Sequence, residues 1–177
     1  MPSTDDPFVF VTVGTDHHPF DRLIGWVDAW LIATGSAVRC LVQSGTSRVP
    51  EVAPWEGYLA HDAMVDHLRE AAVVVTHGGT GSLMLCRHLG VVPIAVPRTR
   101  LLGEHVDDHQ VRFVRRLARD GDVLVAETEP TFRRLMDRGV ADPGSLRIPP
   151  RNGRVAEVVQ RFEALVEPLL ERGGTSA

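Results

Sequence analysis

Between Thr76 and Leu83 the chain reads His77-Gly78-Gly79-Thr80-Gly81-Ser82. Three glycines let backbone N–H groups approach an anion closely, and two hydroxyls follow where a helix should begin. Such a turn can seat a phosphate, because free N–H groups and the helix dipole both favour negative charge. It is not the dinucleotide fingerprint G-x-G-x-x-G, and it lacks the lysine of a P-loop. A tight strand-to-helix turn without a ligand would use the same residues. A second concentration of polar groups is Gly103-Glu104-His105-Val106-Asp107-Asp108-His109-Gln110. Its carboxylates and amide can hold sugar hydroxyls by paired hydrogen bonds. Alternatively, His105 and His109, spaced i and i+4 on one helix face, can share a metal ion, or the acids simply sit where a helix dipole favours them. With no H-E-x-x-H pattern and no obvious third ligand, no metal is expected. His17-His18, just after Gly14-Thr15, can help neutralise a phosphate or be ordinary exposed loop.

The elements that must carry these residues alternate along the chain. The β-branched and aromatic run 8–13 suits a buried parallel strand. Phe20, Leu23, Ile24, Val27, Trp30 and Leu31 follow at helical spacing, with Pro19 at the start and Gly35 at the stop. Further strands are expected at 37–43, 71–76, 91–96 and 123–125, with at most a short one at 58–59. Helices are expected after Asp62 as cap, after the glycine turn as far as Leu89 and Gly90, over 105–119, and near 131–138. Strands and helices at this spacing imply βαβ units and an α/β fold with a Rossmann-like, doubly wound parallel sheet. In such sheets ligands bind beyond the carboxyl ends of the strands, which is where Gly14-Thr15, the glycine turn and the 97–109 segment fall. Residues 154–170 carry a continuous apolar stripe from Val155 to Leu170, with Pro168 expected to fray its last turn. The expected division is a domain over 8–150 and a C-terminal helix over 151–172.

Composition sets the outer limits. The chain has 177 residues, 44% of them hydrophobic and 24% charged, which is one domain with a real core. A net charge of -4 argues against a generally basic nucleic-acid binder. All 19 basic residues are Arg and none is Lys. Arg suits bidentate phosphate binding, but an Arg-only set with a single Asn is better explained by a GC-rich coding sequence. Cys40 and Cys86 sit in apolar contexts and read as buried thiols in a reducing compartment. No secretory signal and no run of roughly 18 apolar residues is seen, so a cytoplasmic chain without a membrane span is expected.

Val11-Thr12-Val13-Gly14-Thr15, then Pro19 to Ile24, Thr76 to Ser82, Val96-Pro97-Arg98 and Gly103 to Gln110 follow one another in an order that resembles the C-terminal domain of family-28 glycosyltransferases. The likeness covers about 8–126. More narrowly, it is to the small stand-alone, donor-binding version of that domain, found in a two-part transferase acting on dolichol-linked sugar and in bacterial exopolysaccharide counterparts. The resemblance implies half of a two-domain GT-B fold that binds a UDP-sugar as co-substrate and needs no further cofactor. It places the diphosphate at Gly14, Thr15, His77, Gly78, Gly79, Thr80, Gly81 and Ser82, with His77 stabilising the leaving group and Arg98 nearby. The donor sugar then falls at Glu104, His105, Asp107, Asp108 and Gln110, and the base near Tyr58. Where many relatives carry a ribose-binding Glu, this chain has Leu85.

The resemblance also implies that the general base and the acceptor site belong to a membrane-anchored partner, which would recruit this chain to the inner face of the membrane. The expected function is the donor-binding subunit of an inverting, two-component hexosyl- or N-acetylhexosaminyltransferase acting on a lipid-linked or exopolysaccharide acceptor. The alternative is a non-catalytic module that stabilises or regulates such a partner.

Overall fold

The computed structural model describes residues 3–35 and 38–150. Strand β1, Phe8–Thr12, is buried along its whole length. Successive side chains of a strand face opposite ways. Val9 and Val11 enter one core layer with Leu23, Ile24, Val27, Phe132 and Met136, while Phe8 and Phe10 enter another with Leu68, Val74 and Cys86. A strand apolar on both faces belongs in the middle of a helix-covered parallel sheet.

The remaining elements, in chain order, are α1 (Asp21–Thr34), β2 (Arg39–Gln43), β3 (Trp55–Glu56), α2 (His61–Glu70), β4 (Val73–His77), α3 (Thr80–His88), β5 (Ile94–Val96), α4 (His109–Arg119), β6 (Leu124–Val125) and α5 (Glu129–Ala141). The sheet order is β3-β2-β1-β4-β5-β6, and every pair is parallel. This is the expected Rossmann-like architecture, and its order reverses between β1 and β4. Helices α1 and α5 cover one face, and α2, α3 and α4 the other. Thr12 is level with both Gln43 and Thr76, so the loops after β1, β2 and β4 leave the sheet side by side. At such a reversal the connecting loops diverge and leave a crevice.

Several boundaries differ from the sequence reading. The edge strand is Trp55–Glu56 and not 58–59, because the Gly57 carbonyl turns inward to accept from Gly45 N and Gln43 Nε2. Only Ile94–Val96 of the 91–96 run joins the sheet. Pro93 has no N–H to give, and Val91 instead bridges Arg147. Strand β4 runs through His77. Helix α2 is preceded by Ala60, with no side-chain cap; Asp62 lies inside the first turn. Helix α4 starts at His109 and not at 105. Helix α5 is longer than 131–138, since Thr128 caps it by accepting from Thr131 N. Cys40 and Cys86 are free, and burial pushes both thiols up to about 12, which leaves them protonated at neutral pH. No helix among the described residues is long and apolar enough to cross a membrane. The expected C-terminal helix at 151–172 lies outside the described residues.

Candidate functional site

The imidazole of His77 sits at the reversal point, between two glycines. A Cβ on Gly14 would lie 2.3 Å from His77 Cε1, and one on Gly79 would lie 2.1 Å from His77 Nε2. No other residue fits at either position without moving the ring, and Gly14 has φ of +80°, which favours glycine on its own account. The ring is 8% exposed, and its Nδ1 is buried without a hydrogen-bond partner among the described residues. Burial, reinforced by the Arg98 charge, drives His77 down to about 4, against a partial lift from the nearby Thr12 backbone and from Asp16. His77 is therefore neutral at pH 7 and can offer one N–H.

Beyond it, α3 begins at Thr80 with Gly79 as its N-cap. No side chain caps this end and no acidic residue lies in its first turn. The free N–H groups of a helix start usually find such partners. Gly81 faces open space, since a Cβ there would meet nothing within 4 Å, and its φ is not positive. Packing therefore gives no reason for a residue that costs about 1 kcal/mol in a helix.

Two buried polar side chains brace the β1 side. Gln43 Oε1 accepts from Thr12 Oγ1 at 2.6 Å and from Gly14 N at 3.2 Å, while its Nε2 donates to Gly14 O at 3.0 Å and Gly57 O at 2.9 Å. Arg98, fully buried, donates to His18 O at 2.6 Å, Val13 O at 3.0 Å and Glu104 O at 3.2 Å. It also lies over the Phe20 ring, 4.7 Å from its centroid. Burial lowers its guanidinium below the ordinary value, which Asp16 and Glu104 counter. Burial would raise Asp16, but the backbone N–H and ring of His18, with Arg98, outweigh it and bring the carboxyl down to about 2.

The 97–110 segment is organised differently. Glu104 is buried and held by Arg22 in a bidentate pair at 2.7 and 2.8 Å, and it also accepts from Thr99 N at 3.0 Å. Gln110 is buried against Gly78, and its Oε1 accepts from Arg98 N at 3.2 Å. Between these anchors the chain arcs outward, with Asp108 accepting from Arg100 N and Asp107 from His109 N, each at 2.9 Å. The N–H and ring of His109 hold the Asp107 carboxyl below the usual range. An open cleft of about 510 Å³ lined by Arg22, Pro97, Thr99, Leu101, Asp108 and Arg112 lies beside this arc. A larger apolar cavity of about 660 Å³ is at the opposite end of the strands, around Phe8, Leu31, Val38 and Cys40, away from these polar groups.

Thus Gly14, His77, Gly78, Gly79, Thr80, Gly81 and Ser82 meet at one edge of the sheet, as expected from their order. Thr15 and Tyr58 lie exposed on loops at that edge. Arg98, Glu104 and Gln110 are engaged within the protein, whereas Asp107 and Asp108 remain on the surface. Gln43 and Arg22 were not singled out by sequence. The only trace of Gln43 is a polar residue closing an apolar strand, and Arg22 reads as a helix surface residue until Glu104 is brought to it. His105 and His109 do not share a helix face, because residues 105–108 form turns ahead of α4.

Solved structures with this fold include the calicheamicin glycosyltransferase CalG4, with a TM-score of 0.65 and 16% identity over 95% of this chain and 45% of that one. A glycosyltransferase of kitacinnamycin matches with a TM-score of 0.62 and 16% identity over 82% and 38%. MurG of Acinetobacter baumannii matches with a TM-score of 0.59 and 17% identity over 81% and 44%. The chain therefore spans less than half the length of these relatives. No match is found among curated protein sequences. The glycosyltransferase family 28 C-terminal domain matches residues 8–136, and the chain belongs to that family.

Proposed function

We propose that this chain is the donor-binding half of a glycosyltransferase, seating the diphosphate of a nucleotide sugar against the α3 start and the Gly14 loop. The observation that carries the reading is the uncapped, acid-free helix start beside His77, whose buried Nδ1 has no partner, with Gly81 open to an approaching ligand. In the transfer, an acceptor hydroxyl attacks the anomeric carbon and its proton passes to a general base. The bond from that carbon to the diphosphate oxygen breaks, and the electron pair leaves with the diphosphate. N–H donors fixed before the reaction stabilise that developing charge without having to reorganise. Neutral His77 contributes a donor and no net charge.

The family match and the GT-B-type solved structures support the transferase reading. The narrower reading rests on the resemblance to stand-alone donor-binding subunits: on it, the base and the acceptor site belong to a second, membrane-attached component, and the acceptor is lipid-linked or an exopolysaccharide. A UDP-sugar is the proposed donor. Leu85, where a ribose-binding Glu is expected, packs against the Phe8 and Phe10 core layer, so ribose finds no carboxylate there. That observation favours a second reading, a stabilising module with a weakened donor site.

Titration calorimetry with UDP and a panel of UDP-sugars separates the two. Saturable binding that Gly79→Ala weakens at least tenfold supports the donor half. Absence of saturable heat with any of them would leave only the stabilising module.

A further inference from the structure

The arc between Glu104 and Gln110 carries a second set of groups that diphosphate binding does not use. We infer that His105, Asp107 and His109 form a binding site for a divalent transition ion of the zinc type, with Asp16 as the outer carboxylate that orients His105. The site goes beyond the donor-binding reading and does not depend on it.

The ligand atoms are in place. His105 Nδ1 lies 3.6 Å from Asp107 Oδ1, His109 Nδ1 contacts the same oxygen, and all three ligand atoms fall within 4.8 Å of one another. Around a tetrahedral ion with bonds of about 2.1 Å, neighbouring ligand atoms stand about 3.4 Å apart. The His105 pair already has nearly that spacing. The His109 contact must open when the ion replaces the shared proton. Two imidazoles and one carboxylate leave a position vacant for water or a ligand oxygen, and this donor set suits zinc better than magnesium or calcium.

An independent observation lies on the far side of the His105 ring. Its Nε2 is 3.5 Å from Asp16 Oδ2, on the loop after β1. A metal-bound imidazole characteristically presents its other nitrogen to a carboxylate, which fixes the tautomer and raises ligand basicity. The arc is held at both ends, by the Arg22–Glu104 pair and by buried Gln110 against Gly78. Anchoring of this kind limits how far the three ligands can drift.

Asp16, His17 and His18 make a second trio within the same reach. In each trio one carboxylate oxygen already holds the N–H and ring of a histidine, Asp16 Oδ1 those of His18 at 2.8 and 2.7 Å and Asp107 Oδ1 those of His109. What separates them is the Arg98 charge, which acts on the Asp16 carboxylate and opposes a cation there. The 105–109 trio is therefore the ion site, and the Asp16 carboxylate serves it from behind.

The test is zinc uptake by the untagged full-length chain, measured by calorimetry and by metal analysis after dialysis. One Zn²⁺ per chain is expected, with Kd in the micromolar range or tighter, and no comparable uptake of Mg²⁺. The double variant His105→Ala/His109→Ala should bind at least 100-fold more weakly, and Asp16→Asn about 10-fold more weakly. His61→Ala and His88→Ala, exposed and remote from the arc, should bind as the parent does. Melting curves recorded without zinc establish that each variant is folded. Lack of saturable uptake, or uptake by the double variant equal to the parent's, would overturn the site. So would loss in His17→Ala with retention in His109→Ala. None of these outcomes bears on UDP binding, which is measured separately.

Discussion

The two halves of the candidate site are built on opposite plans. Around Gly14, His77 and Gly79 the backbone is over-determined: Gln43 and Arg98, both buried, hold the loop by hydrogen bonds to five backbone positions of residues 13–18, 57 and 104. In the 100–108 segment Glu104 is the buried anchor, while the residues on either side of it rest mainly on short local bonds, and Leu101 is 92% exposed. On the proposed function the braced half holds the diphosphate, the part every nucleotide sugar shares, and such a seat gains from being rigid in advance. The sugar is the part that varies, and a loop held at two points can change sequence without disturbing the core.

The largest expected effect is at the brace. Arg98→Leu strips hydrogen bonds from the Val13, His18 and Glu104 carbonyls and removes the charge that helps hold the Asp16 carboxylate ionised. It should cost about 3–4 kcal/mol in urea unfolding at pH 7; a loss below about 1 kcal/mol would mean that the loop holds itself.

Acid should act on the same half. The unfolded chain binds a proton at His77 near pH 6.5, whereas the folded chain resists until about 4. Stability from this group is therefore intact above pH 6.5 and falls as the pH drops towards 4, by up to about 1.4 kcal/mol per unit and about 3 kcal/mol in all. His77→Phe, compared with the parent across that range, should flatten the decline. Parallel curves would show that the acid sensitivity lies elsewhere.

Gln43→Leu should follow at about 2 kcal/mol, since it removes the side-chain donor to the Gly14 and Gly57 carbonyls and the acceptor of the Thr12 hydroxyl. It should also weaken UDP binding more than it weakens folding. On the other half, Leu101→Ser touches no packed surface and should shift the unfolding midpoint by less than about 0.5 kcal/mol. If Leu101→Ser proves as costly as Gln43→Leu, the contrast between braced seat and adaptable rim fails.

Much of the site was legible because its markers are local. Glycine at 14, 78 and 79 announces close approach, and the order of strand ends along the chain predicts that these turns share one edge. The sheet itself followed from apolar runs separated by helical periodicity. Short strands were less legible: nothing in residues 55–59 says which pair will bond, because the choice is made by Gln43 drawing the Gly57 carbonyl inward. The start of α4 was misplaced for a related reason. His105 to Asp108 have helical neighbours, but Asp107 and Asp108 bond backbone N–H groups and hold the chain in turns.

The sequence by itself determined the fold, the glycine turn and the edge on which the candidate site gathers, since these depend on periodicity and on residues with unusual backbone freedom. Only the tertiary structure decided that Arg98 and Glu104 face inward as braces, that Gln43 belongs to the site, and that Asp16 stands behind His105. Each of these depends on a partner between about 30 and 90 residues away, and a side chain's role there is set by what the fold carries to it.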